Sequence, residues 1–193
     1  MRKFIKFAAL AATAVLTACG GGGGSPGETL ENYSITLRTD KAVLPLNISN
    51  SMPGLGAYQP YTTTLYVDAR KGSLPIPGGE KIFGCNVNGG LDSGALYYLD
   101  GKDEHQTEVD DGFGGKIKIP NAYRSITLES NSGGNSFHFH AGDQAGTVRI
   151  TCSVSDPRDK QQKSATVEIS VGGTTGKPAS VRIEAERPGY LGT

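Results

Sequence analysis

Three histidines, a run of acids and a scatter of tyrosines are the side chains with the means to do chemistry in this chain. In Phe137-His138-Phe139-His140, strand alternation would put both imidazoles on one face, with their Cα atoms about 7 Å apart, within reach of one metal ion. His105 or an acid from another strand would then supply a third ligand. The simpler expectation for the same alternation is Phe137 and Phe139 in a core and His138 and His140 facing water. Asp100 to Glu108 and Asp110-Asp111 gather carboxylates in a stretch that reads as loop. Calcium takes oxygens from such loops, but the D-x-D-x-D-G spacing is missing, and nothing fixes two acids at a separation suited to glycoside hydrolysis. Gly90-Leu91-Asp92-Ser93-Gly94 has the wrong spacing for a nucleophile elbow, and no zinc-protease, Walker or dinucleotide motif occurs. The residue types therefore predict a protein without a reaction or cofactor of its own. Tyr58, Tyr61, Tyr97, Tyr98 and Tyr123 are candidates for recognition of glycan or protein, or for ordinary packing on a sheet.

The elements that must position these residues are strands. From Tyr33 onward apolar residues recur with period two: Ile35 and Leu37, Leu65 and Val67, Phe83 to Val87, Ala95 to Leu99, and Ile117 to Ile119. The pattern continues through Ile126 to Leu128, Phe137 to His140, Val148 to Val154, and Ala165 to Val171. Clusters rich in Gly, Pro, Asn and Asp separate them, at Pro75 to Gly79, Asn88 to Gly90, Asp110 to Gly115, Asn131 to Asn135 and Asp156 to Asp159. Seven to nine short strands at this spacing predict an all-β sandwich or barrel. A chain of 193 residues with 36% hydrophobic content has room for one such domain and short extensions.

The N-terminus has a different character. Arg2, Lys3 and Lys6 precede an apolar stretch from Phe7 to Leu16, which is the layout of an export signal and about half the length that a membrane-spanning helix requires. Leu16-Thr17-Ala18-Cys19 resembles the lipobox of bacterial lipoproteins. That resemblance implies cleavage after residue 18, a diacylglycerol on the Cys19 sulfur and an acylated new amino terminus, together a stable membrane anchor. Residue 20 is Gly rather than Asp, which points to the outer membrane. Residues 19–27, with Gly20 to Gly24, then form a flexible tether reaching about 15 Å. Loss of Arg2, Lys3 and Lys6 leaves 16 basic against 19 acidic residues, a net charge of −3, and no basic cluster suited to nucleic acid.

With Cys19 lipidated, Cys85 and Cys152 remain as an even pair in an oxidising compartment, so a disulfide is expected, with two buried thiols as the alternative. The segment Ala145-Gly146-Thr147 leading into Val148 to Val154, a turn, and the closing strand Ser164 to Val171 resemble the last hairpin of bacterial immunoglobulin-like domains. Thr62 to Gly79 resembles the second strand of that family and its following loop. The likeness implies an immunoglobulin-like β-sandwich over residues 28–173, with a structural or adhesive role at the cell surface. It departs from antibody domains, since the chain has no Trp and Ile150 stands where those domains carry a Tyr. Residues 174–193 read as a linker and the first strand of a further domain, or as a strand supplied to its own or another sheet. The competing functions are a glycan- or metal-binding module and a strand-exchanging subunit of a surface assembly.

Overall fold

Alternating side chains demand a pleated backbone, and the computed structural model, described over residues 32–56, 59–156 and 160–172, forms twelve strands joined by turns and one 3₁₀ turn, Asp103–His105. In chain order they are β1 (Tyr33–Thr39), β2 (Val43–Leu44), β3 (Thr62–Lys71), β4 (Leu74–Pro75), β5 (Gly79–Gly89) and β6 (Gly94–Tyr97). Then come β7 (Gln106–Asp110), β8 (Lys116–Pro120), β9 (Ser125–Ser130), β10 (Gly134–Ala141), β11 (Gly146–Ser155) and β12 (Gln162–Val171). Each alternating run expected from the sequence falls on a strand, although the run from Ala95 stops at Tyr97. Beyond it Leu99 turns to φ 50° and Gly101 to φ 76°, conformations that no strand continues through. The export signal, Cys19, the glycine tether and the segment from residue 173 onward lie outside the described residues.

Ten of the twelve strands make two facing sheets. One runs β1-β3-β10-β6, with β4 paired to β3; the other runs β2-β12-β11-β5-β9. All pairings are antiparallel except β2 with β12, where Ser170 and Val171 sit beside Val43 and Leu44. With β1, β3, β10 and β6 in one layer and β5, β11 and β12 in the other, this is the strand arrangement of an immunoglobulin-like sandwich. Between the layers lie Leu65, Val67, Leu96, Phe137 and Phe139 from the first sheet and Phe83, Ile126, Ile150 and Ile169 from the second, each 2% exposed or less. Such side chains stabilise the fold by about 1.5–3 kcal/mol apiece on burial.

Cys85 and Cys152 form a disulfide across 67 positions of sequence. They are register partners on the adjacent strands β5 and β11, so the bridge staples one sheet. The antibody-type bond joins two sheets instead. The Gly90–Gly94 segment is architectural: Gly90 sits at φ 67°, and a Cβ at Gly94 would strike the His140 carbonyl and the Phe139 ring. One expectation is corrected here. The acidic stretch is not all loop, because Gln106–Asp110 pairs with Lys116–Pro120 as a separate two-stranded sheet. Thr107 and Val109 supply the alternation that a count of carboxylates hides.

Candidate functional site

Strand β10 carries the chemistry-bearing residues of the first sheet. Phe137, Phe139 and Ala141 point into the core, which leaves Ser136, His138 and His140 on the outer face. The expectation that both histidines face water is wrong: His138 is 8% exposed and His140 6%. The outer face is itself covered there, by neighbours remote in sequence that alternation does not register.

Over His140 the cover is the loop after β2. Its Nδ1 lies 2.8 Å from Thr62 Oγ1, and its Nε2 lies 2.8 Å from the Ser51 carbonyl and 3.0 Å from Asn47 Nδ2. The Asn47 amide nitrogen also donates to the Ser51 carbonyl, at 2.9 Å. These contacts fix the tautomer: Nε2–H donates to Ser51, Nδ1 accepts from the Thr62 hydroxyl, and the Asn47 amide shares the same carbonyl. Asn47 Oδ1 accepts from the Ser51 amide in return, at 2.9 Å. Tyr61 and Tyr97 meet the imidazole edge-on, at 6.4 and 6.0 Å between centroids. Burial lowers the pKa of His140, and its bond to Ser51 only partly opposes this, so the ring is neutral at neutral pH.

His138 pairs in register with Thr64 on one side and Tyr97 on the other. Burial lowers its pKa as well, against the pull of Asp40. Its Nδ1 is buried with no hydrogen-bond partner among the described residues, an arrangement that costs about 1–3 kcal/mol. Asp40 in turn accepts from the Tyr66 hydroxyl at 3.0 Å, and the Arg38 guanidinium lies 3.9 Å over the Tyr66 ring. Sequence reasoning missed Tyr66, although its place in an alternating strand, between inward-facing Leu65 and Val67, was the available signal.

His105, one of the two candidates for a third metal ligand, belongs to a different arrangement. It stacks on Tyr98 at 3.7 Å between centroids, and its Nδ1 lies 2.9 Å from Asp100 Oδ2. Among the described residues no three His, Cys, Asp or Glu side chains converge as a metal site. The other acids are engaged separately: Asp103 with Lys118 at 2.6 Å, Glu108 with Lys116 at 3.6 Å, and Asp110 and Asp111 with backbone amides of the β7–β8 turn.

The tyrosines act as straps. Tyr98 Oη donates to the Thr127 carbonyl at 3.0 Å and accepts from the Thr127 amide at 3.1 Å, and Asn135 Nδ2 donates to the Glu129 carbonyl at 2.7 Å. Together they occupy the outer edge of β9. Tyr123 exchanges two backbone bonds of 2.9 Å with Leu96 and closes the outer edge of β6. Tyr61 packs on the core, and Tyr58 lies outside the described residues. Two grooves flank these straps: one of about 450 Å³ between Met52, Pro53, Tyr97, Ile119 and His140, another of about 500 Å³ along Arg38, Tyr66, Asp68, Asn131 and Asn135.

Fold and site together define an immunoglobulin-like β-sandwich whose histidines, acids and tyrosines hold loops and edges in place. No protein-family model and no curated protein matches the chain. Among solved structures it is similar to one described for fibronectin binding and biofilm formation by the AAF fimbriae of enteroaggregative Escherichia coli, at 13% identity and a TM-score of 0.30, over 72% of this chain and 99% of that one. It is also similar to BslA, a bacterial hydrophobin, at 10% identity and a TM-score of 0.29, over 74% of this chain and 96% of that one.

Proposed function

We propose that the protein is a non-catalytic domain of the bacterial cell envelope, held at the outer membrane through a lipidated Cys19, with a structural or adhesive task. One observation supports the non-catalytic part: His140, His105 and both cysteines are engaged in holding the architecture. Both nitrogens of His140 clamp the 47–51 loop and Thr62, His105 is held by Asp100 against Tyr98, and both cysteines are joined to each other. Anchoring rests on Leu16-Thr17-Ala18-Cys19 at the end of an export signal, and a disulfide inside the core suits the same oxidising side of the membrane.

The test is mass spectrometry of protein extracted from membranes, with and without reduction before alkylation. The expected result is an N-terminal peptide that begins at Cys19 and carries three acyl chains, with Cys85 and Cys152 alkylated only after reduction. An unlipidated N-terminus overturns the anchor, and alkylation without reduction overturns the oxidising location. A second reading, glycan binding, is favoured by the groove along Tyr66, where Arg38, Asp68, Asn131 and Asn135 offer donors and acceptors beside an aromatic ring.

A further inference from the structure

The groove of about 500 Å³ on the outer face of the first sheet is assembled by strand register. Arg38, Tyr66 and Ser136 lie side by side across β1, β3 and β10, and Thr36, Asp68 and Gly134 form the neighbouring row. Gly134 brings no side chain to its row, so the floor drops beside the Tyr66 ring, and Asn131 lines the groove from the β9–β10 turn. The volume falls within the range of about 300–1,000 Å³ usual for ligand sites. Its charged groups are already balanced. Arg38 Nη1 lies 3.9 Å from Asp40, with the guanidinium 3.9 Å over the Tyr66 ring, and Asp68 Oδ1 lies 3.0 Å from Arg70 Nε. The Tyr66 hydroxyl donates to Asp40, and Asn135 is taken by the Glu129 carbonyl and the Ser136 amide. Among the described residues, the side chains of Thr36, Asn131 and Ser136 have no such partner, and all three are exposed.

We infer that this groove takes a neutral glycan, an inference that rests on the glycan-binding reading and names the class of sugar. Charge decides the class. Each charged side chain that lines the groove, Arg38 and Asp68, has an opposite charge of its own beside it, so a sulfated, uronic or amino sugar would have to compete with an existing pair. The uncommitted groups are two hydroxyls and a primary amide, which donate and accept alike and so match the hydroxyls of an uncharged sugar. They come from three separate elements, β1, the β9–β10 turn and β10, and meet around one aromatic ring, whose apolar surface suits the C–H side of a pyranose. The gap left by Gly134 gives a sugar ring room to come down onto the sheet. Three uncommitted groups in an open groove make a weak site, one suited to a repeating polymer that presents the same sugar many times.

Affinity electrophoresis of the detergent-extracted full chain tests this, in native gels that contain dextran, mannan or xylan as neutral polymers and heparin or polygalacturonate as charged ones. The expected result is retardation by at least one neutral polymer and by neither charged one. Asn131→Ala combined with Ser136→Ala removes two of the uncommitted groups and should weaken the association about 10-fold, with the melting temperature unchanged. Retardation by the charged polymers alone overturns the inference and leaves glycan binding standing. Retardation by a neutral polymer that the double variant does not alter puts the sugar elsewhere on the molecule and overturns it as well. Free migration through all five gels overturns the inference and the glycan reading together.

Discussion

Two hairpins of this molecule share one sequence pattern and meet opposite fates. In β11–β12 the alternating set Val148, Ile150, Cys152 and Val154 faces the second layer and is buried to 2% exposure or less. In β7–β8 the alternating set is less covered: Val109 and Ile119 are half-buried, and Ile117 is 51% exposed. Pattern makes a strand in both cases. Burial comes from what the rest of the chain brings to the other side, and only β11–β12 has a disulfide-linked neighbour in β5 and a sheet of aromatic side chains facing it.

That contrast predicts a graded set of outcomes. The largest is loss of the staple: Cys85→Ala with Cys152→Ala releases a long loop and should destabilise the fold by about 4 kcal/mol, read by urea denaturation. Next, Ile150→Ala should cost about 2–5 kcal/mol, while the matching change Ile117→Ala should stay within about 0.5 kcal/mol. Equal losses at the two positions would dissolve the distinction between the hairpins. The smallest effect is a pH dependence. Both His138 and His140 have pKa values below the ordinary 6.5, so the unfolded chain takes up protons that the native state refuses. Their contribution is therefore complete above pH 6.5 and is lost as pH falls through that value towards the depressed pKa. Unfolding curves between pH 8 and pH 5 should show this decline, and His140→Gln should flatten it. As the clasp on Ser51 and Asn47 opens, amide exchange in the 47–53 loop should quicken before the sheets loosen.

Much of the sandwich was legible because a strand with one buried face writes itself into its own residues: Leu65 and Val67, or Ile126 and Leu128, need no partner to be read. The cysteine pair followed from parity and compartment. The cover over His140 was not legible, since Ser51, Asn47 and Thr62 are polar residues of no special spacing, 78 or more positions away from it. Strand β7 was hidden by its carboxylates, which alternate with Thr107 and Val109 and look like loop when counted by type. The roles of the tyrosines were undecidable for the same reason, because a phenol that stacks on a glycan and one that straps a sheet edge have the same letter.

The hydroxyl of Tyr98 has a consequence of another order. By filling both hydrogen-bonding positions of Thr127 on the rim of β9, it makes a side chain do what an incoming strand would do. An incoming strand would find the outward amide and carbonyl of Thr127 already taken. Tyr98→Phe, which removes a single oxygen atom, would leave that amide and carbonyl without their partner and open to an incoming strand.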